Sequence, residues 1–227
     1  MLVLATLGIG ASAQTLPNSN AIPPKGSWNA TIVENSGGHR MGNPAATAKL
    51  VEFMSYTCSH CATFARTGDG AIKMLYVPSG KVNYEIRHLV RDPIDLTATL
   101  ATHCGEPSKF FKNHEAILSR QNEWMAKAQS LTQAQRARWT FGSFGARAQA
   151  IASDLDFYEI MEGRGYSRTQ LDQCLTDEAQ ARKIAKQSGE DTQTYRLTGT
   201  PSFVLDGKML DGVHSWPMLQ PKLDRYF

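Results

Sequence analysis

Apolar and polar positions follow two different rhythms along this chain, and the change of rhythm divides it. Ala48–Met54 (AKLVEFM) is mostly apolar and bounded by turn-type residues, the pattern of a strand buried on both faces of a sheet. Residues 58–76 place Cys61, Phe64, Ala65, Ile72 and Leu75 near one face of a helix, which Gly68-Asp69-Gly70 is expected to kink or break. Pro78-Ser79-Gly80 ends it. Residues 82–89 then put Val82, Tyr84, Ile86 and His88 on alternate positions, the period of a half-buried strand. Strand, helix and strand in that order predict a βαβ unit.

Upstream, Thr31-Ile32-Val33 predicts a short strand, and residues 35–44, with three glycines and a proline, predict a loop. From 91 to 189 no strand pattern occurs. Helix-period segments cover 94–104, 109–119, about 132–144, 153–161 and 169–175, and a longer helix starts near Asp177. Its first turn carries Asp177 and Glu178 and its later turns Arg182, Lys183 and Lys186, which suits the helix dipole. Strand character returns at Ser202–Leu205, Asp206-Gly207 makes a hairpin turn into 208–210, and 215–227 closes the chain as a helix. The expected organisation is α/β: residues 30–90 and 190–227 form one domain, 91–189 form an inserted helical domain, and 14–29, with Pro17, Pro23 and Pro24, form a mobile lead-in.

With 227 residues, 41% of them hydrophobic and 20% charged, the chain has material for a sizeable core. Its 24 basic and 21 acidic residues are scattered, without the basic block that tracks a phosphate backbone, so nucleic acid is not an expected partner. Leu2 to Ala11 is a short run of apolar and small residues, and Ala11-Ser12-Ala13 has the small-x-small form of a signal-peptidase site. Residues 1–13 are therefore read as a signal peptide, although no Lys or Arg precedes the run.

Export changes the reading of the cysteines, because an even number in an oxidising compartment suggests disulfides. Cys58 and Cys61 form one candidate pair, which leaves Cys104 with Cys174 as an expected structural disulfide; two buried free thiols also satisfy the sequence. Cys58-Ser59-His60-Cys61 opens a helix, so the two thiols share one side of its first turn and can form a small disulfide ring. The unpaired N–H groups and positive dipole end of that turn favour a thiolate at Cys58. Glu52 stands out in the strand just before it, since a carboxylate in a buried strand needs a partner or a proton.

Val51-Glu52-Phe53 leading to Cys58-Ser59-His60-Cys61, the helical block downstream, and Gly199-Thr200-Pro201-Ser202-Phe203 ahead of the last hairpin together resemble the DsbA-like branch of the thioredoxin superfamily. The resemblance implies a thioredoxin fold interrupted by a helical domain. It implies a nucleophilic Cys58 with an exposed sulfur, a buried Cys61 that resolves the mixed disulfide, His60 stabilising the Cys58 thiolate, and Glu52 taking up or relaying the Cys61 proton. Thr200-Pro201 is implied to be a cis peptide holding the substrate chain opposite the cysteines. Ser59, where the family often has proline, is implied to tune the potential.

The implied activity is that of a periplasmic protein dithiol oxidase, acting as a monomer without cofactor or metal on reduced exported proteins and reoxidised by a membrane partner. Thr200 also occurs in isomerase and reductase relatives, so the opposite direction of exchange stays open. A third reading makes Cys58, His60 and Cys61 a metal-binding module, for which a second ligand cluster is missing from the sequence.

Overall fold

The computed structural model describes residues 28–35 and 37–227, so the expected signal peptide at 1–13 lies outside the described residues. Strands β1 (Ile32–Glu34), β2 (Gly38–Gly42), β3 (Ala48–Met54), β4 (Val82–His88), β5 (Ser202–Leu205) and β6 (Lys208–Met209) form one mixed sheet in the order β1-β2-β4-β3-β5-β6. β3 and β4 are parallel, in register from Ala48 beside Val82 to Met54 beside His88, as the helical crossover between them requires. β5 runs antiparallel to β3, with Ser202 beside Phe53. That register sets the start of β5 against the end of β3, just before the cysteines.

The expected loop at 35–44 is instead a turn and the strand β2. Its glycines are there for close approach: a Cβ on Gly38 would lie 2.0 Å from the Ile86 carbonyl oxygen of β4, and Gly42 has φ +112. Of the lead-in expected at 14–29, residues 14–27 lie outside the described residues, and Trp28 and Asn29 are not an extended lead-in. Trp28–Ala30 forms a helical turn, and the Asn29 side-chain amide donates to the Lys73 carbonyl at 2.8 Å. β4, read from its alternation as half-buried, is buried on both faces, with even Glu85 enclosed by the Arg87 guanidinium, which also reaches Asp191.

α1 (Ser59–Phe64) does not break at Gly68-Asp69-Gly70. It continues through two π-helical stretches, Ala65–Asp69 and Ile72–Tyr76, and Gly70 keeps helical angles of φ −60 and ψ −43. Each π turn adds one residue, which rotates the rest of the helix by about 100°. The predicted inner face is therefore out of phase: Leu75 is exposed, while Asp69 and Tyr76 are buried.

Between β4 and β5 lie α2 (Pro93–Thr102), α3 (Phe110–Ser119), α4 (Gln121–Gln129), α5 (Gln133–Thr140), α6 (Phe144–Asp154), α7 (Phe157–Glu162), α8 (Arg168–Leu175) and α9 (Glu178–Tyr195). Cys104, after α2, is disulfide-bonded to Cys174 of α8, 70 residues away. The expected boundary at 189/190 falls inside α9, an unbroken helix that serves both parts. Its C-terminal end packs on the sheet, through Asp191 against Arg87 and Tyr195 against the Phe53 ring. α10 (Trp216–Leu223) closes the chain.

Candidate active site

β3 ends at Met54, and after three intervening residues Cys58 caps α1 with extended backbone angles of φ −94 and ψ 118. No side chain caps this helix, so its first N–H groups face the sulfur. The Cys58 thiol is lowered to about 5. The hydrogen bond from the Cys61 thiol is the largest cause, helped by Thr200 and the main-chain N–H groups of Cys61 and His60, and opposed by burial. Cys61 moves the other way, pushed well up by burial, by the sulfur of Cys58 and by the charge of Glu52. The two thiols are free and their acidities are driven apart, as a nucleophile and a resolving thiol require.

Cys58 is only 5% exposed, against 1% for Cys61, so the sulfur that the resemblance implied to be exposed belongs to a buried residue. The Thr200 carbonyl accepts from the Cys58 sulfur at 3.2 Å. The Thr200–Pro201 peptide bond is cis. The Thr200 hydroxyl is buried without another hydrogen-bond partner, so it can turn a donor toward the sulfur once the thiol proton has left. The His214 ring holds the Pro201 carbonyl oxygen at 2.8 Å. Ser59 and His60 lie exposed on the first turn, and His60 reaches the sulfur through its main-chain N–H.

Glu52 is buried on β3 and accepts a hydrogen bond from the Tyr84 hydroxyl of β4. Burial, then the charge of Asp69, raises its carboxyl to about 8, so a proton sits on it at neutral pH and can be exchanged.

The helical insertion holds the loop that leads into Cys58. The Asp95 carboxylate accepts from the Ser55 hydroxyl at 2.6 Å and the Tyr56 N–H at 2.8 Å. Asp92 caps α2 and accepts from the Thr57 hydroxyl at 2.7 Å, and Arg91 donates to the Thr57 carbonyl at 3.0 Å. From α4, the Gln121 amide donates to the carbonyls of Tyr56 at 2.6 Å and Cys58 at 2.8 Å.

The sequence reading missed these supporting residues. Asp92-Pro93 carried a readable signal, a capping acid before a proline at a helix start, whereas nothing local marked Gln121. Among the described residues, no group of three His, Cys, Asp or Glu side chains is arranged to hold a metal ion.

A family model described as thioredoxin matches residues 34–225. The crystal structure of a protein-disulfide isomerase from Novosphingobium aromaticivorans superposes with a TM-score of 0.79 at 46% sequence identity, covering 84% of this chain and 97% of that one. Wolbachia pipientis alpha-DsbA1 superposes with a TM-score of 0.65 at 20% identity, over 82% of this chain and 89% of its own, and so shares the fold. A putative protein-disulfide oxidoreductase of Rickettsia typhi is 24% identical over 168 residues, which are 74% of this chain and 54% of that protein. The chain thus spans about half the length of the curated relatives it matches. With a cysteine pair opening the helix after the central strand, helices inserted between β4 and β5, and a family match over most of its length, the chain belongs to the thioredoxin family.

Proposed function

We propose that the protein is a periplasmic thiol:disulfide oxidoreductase that donates the Cys58–Cys61 disulfide to reduced exported proteins. A substrate thiolate attacks the Cys58 sulfur, the Cys58–Cys61 bond breaks, and Cys61 leaves with the electron pair and takes up a proton. A second substrate thiolate then attacks the substrate sulfur of the mixed disulfide and releases Cys58 as a thiolate. The substrate loses two electrons and the protein gains them, to be passed to a membrane partner that restores the disulfide. The observation that carries this reading is the Cys58 sulfur at a helix N-terminus with its thiol lowered to about 5, because an acidic thiol leaves readily and stabilises the reduced form.

In this reading Glu52 exchanges the Cys61 proton, His60 and Ser59 tune the thiolate, and Thr200-Pro201 holds the substrate chain beside Cys58. Cys104–Cys174 fastens the insertion. The protein acts as a monomer and needs no cofactor beyond its cysteines. Export rests on the run from Leu2 to Ala13.

A second reading, isomerase or reductase chemistry at the same sulfurs, is favoured by the 46% identity to the Novosphingobium protein, which is described as a protein-disulfide isomerase. Equilibration of the Cys58/Cys61 couple with glutathione separates the two directions. An oxidase gives a potential well above the about −270 mV of reducing thioredoxins, and a value near that figure contradicts the donor role. Transfer to a reduced, unfolded protein, compared with repair of a scrambled one, tests the same point.

A further inference from the structure

The chain leaves β4 at His88 and enters α2 at Pro93 through a short connection, and two residues of that connection, Arg91 and Asp92, hold Thr57 just before Cys58. In the sheet order β4 and β5 flank β3 on opposite sides. The connection after β4 therefore reaches the Cys58 turn from one side, and Thr200-Pro201, ahead of β5, reaches it from the other.

A cleft of about 340 Å³ opens beside this connection, with room for a bulky side chain and part of the chain that carries it. Val90 and Leu96 line one wall, and Trp139 and Phe144 of the α5–α6 hairpin line the other. All four pack on the core yet stay only partly buried. The Trp139 ring is held in place, because its indole N–H donates to Asp154 at 2.8 Å. Between Trp139 and Phe144 the chain turns at Phe141, whose side chain is 75% exposed.

Two guanidinium groups border this apolar surface. Arg91 donates to the Thr57 carbonyl at 3.0 Å and hydroxyl at 3.4 Å, and Arg147 donates to the Gly142 carbonyl at 2.9 Å. These acceptors are neutral, and among the described residues neither arginine forms an ion pair. Asp92 also lines the cleft, but its two oxygens already accept from the Thr57 hydroxyl at 2.7 Å and the Asp95 N–H at 2.9 Å. An aromatic floor under two unpaired cations matches a ligand with an apolar body and a carboxylate.

The cleft also lies at a usable distance from the sulfur. An Arg91 guanidinium nitrogen 3.0 Å from the Thr57 oxygen is within roughly 6 Å of the Cys58 Cα, by the dimensions of a peptide unit. An extended chain advances about 3.3 Å per residue, so the residue two or three positions from a cysteine bonded to Cys58 arrives at the guanidinium.

We propose that this cleft is a specificity subsite for the substrate chain, on the side of Cys58 away from Thr200-Pro201. It selects segments that carry a bulky apolar side chain beside an Asp or Glu, two or three residues from the reacting cysteine. The apolar side chain lies against Trp139 and Phe144, and the carboxylate meets Arg147 and Arg91. The proposal rests on the exchange reading above and adds the class of substrate that reacts fastest. The covalent step is unchanged: the substrate thiolate bonds to the Cys58 sulfur, and Cys61 leaves with the electron pair.

The experiment mixes the oxidised full chain with end-blocked two-cysteine peptides. These carry Phe-Glu, Phe-Lys, Ser-Glu or Ser-Lys two or three residues outside the cysteine pair, on its N-terminal side in one set and its C-terminal side in the other. Consumption of the Cys58–Cys61 disulfide is timed, and each rate is divided by that of the same peptide with glutathione disulfide, which cancels the effect of the neighbouring charge on the peptide thiol. In one of the two sets Phe-Glu is expected to react roughly tenfold faster than Ser-Lys, with the other two between them. The preference for Glu over Lys is expected to shrink as salt is added. Arg147→Glu is expected to remove it while the preference for Phe over Ser persists, and Arg147→Gln, the milder change, to weaken it should Arg147→Glu fail to fold. Equal normalised rates for all peptides, or a preference for Glu that both Arg147 variants keep, overturn the proposal. So does self-association of the chain that Arg147→Glu abolishes, since a second copy would then fill the cleft. Absence of reaction with every peptide overturns the exchange reading itself, whereas uniform reaction overturns the subsite alone.

Discussion

Gln121 and Cys58 belong to different parts of the fold, and one side-chain amide joins them: Gln121 donates to the Cys58 carbonyl at 2.8 Å and, with the same nitrogen, to the Tyr56 carbonyl at 2.6 Å. The helical insertion thereby fixes the main chain that presents the reactive sulfur.

Gln121→Ala leaves the Tyr56 carbonyl in a buried loop without this donor and the Cys58 carbonyl with only the Ala62 N–H at 3.2 Å, at a cost on the order of 1–3 kcal/mol. Urea unfolding is expected to show that loss, and exchange with a dithiol to slow because the Cys58 turn loosens. A variant matching wild type in both would remove the insertion from the support of the site.

Glu52→Gln keeps the shape of the side chain and removes its titration. The folded carboxyl, at about 8, binds a proton that the unfolded one, at 4.5, has lost. Stability from this group is therefore complete below about pH 4.5 and declines as pH rises through 8. The variant is expected to fold, to resist alkaline pH better than wild type, and to exchange more slowly with a flattened pH–rate profile. Unchanged pH–rate profiles count against a proton role for Glu52.

Four of the six histidines, His39, His88, His103 and His114, gather around Phe110, with His39 and His103 ring centroids 4.5 Å apart and His88 and His103 5.0 Å apart. Burial holds His39 at about 4 and His114 at about 3, and keeps His88 and His103 well below their usual value. The unfolded chain protonates these rings near pH 6.5 and the folded chain does not, so their contribution is whole above 6.5 and is lost as pH falls toward 4. Chemical denaturation over that range is expected to show stability dropping on acidification, with a shallower slope in His88→Asn. The Glu52 effect has the opposite sign above pH 4.5, so the comparison is with the variant rather than with zero slope. An equal slope in the two proteins contradicts the assignment.

Removing the Cys104–Cys174 bond by the double alanine substitution frees a loop of 70 residues in the unfolded chain. The expected loss is about 4 kcal/mol on the chain-entropy model, with exchange at Cys58 retained. Thermal unfolding with and without reductant, set beside an exchange assay, checks both halves.

The parts legible in the sequence are those where one local pattern has one meaning. Ala48–Met54 reads as a buried strand because both faces are apolar, and the cysteine spacing, Glu52 and the Thr200-Pro201 pair take their meaning from positions relative to it. β2 was illegible because Gly38 and Gly42, ordinary loop signals, are there for close approach to β4. Asp69 and Leu75 were misplaced because π turns change helical phase without a reliable mark in the residues. α4 is mostly polar outside Trp124, so its period was too faint to find, and Gln121 was lost with it. Phe141 is 75% exposed, where it caps the end of α5 at the turn into α6. Supports made by one side chain across a long stretch of sequence leave no local trace.

The central claim is that the fold makes Cys58 an acidic nucleophile, and ultraviolet thiolate absorbance of the reduced protein against pH tests it most directly. The predicted titration has a midpoint near pH 5, is abolished in Cys58→Ser, and leaves Cys61 protonated through neutral pH. A single midpoint near the free-thiol value of about 8.5 would contradict it.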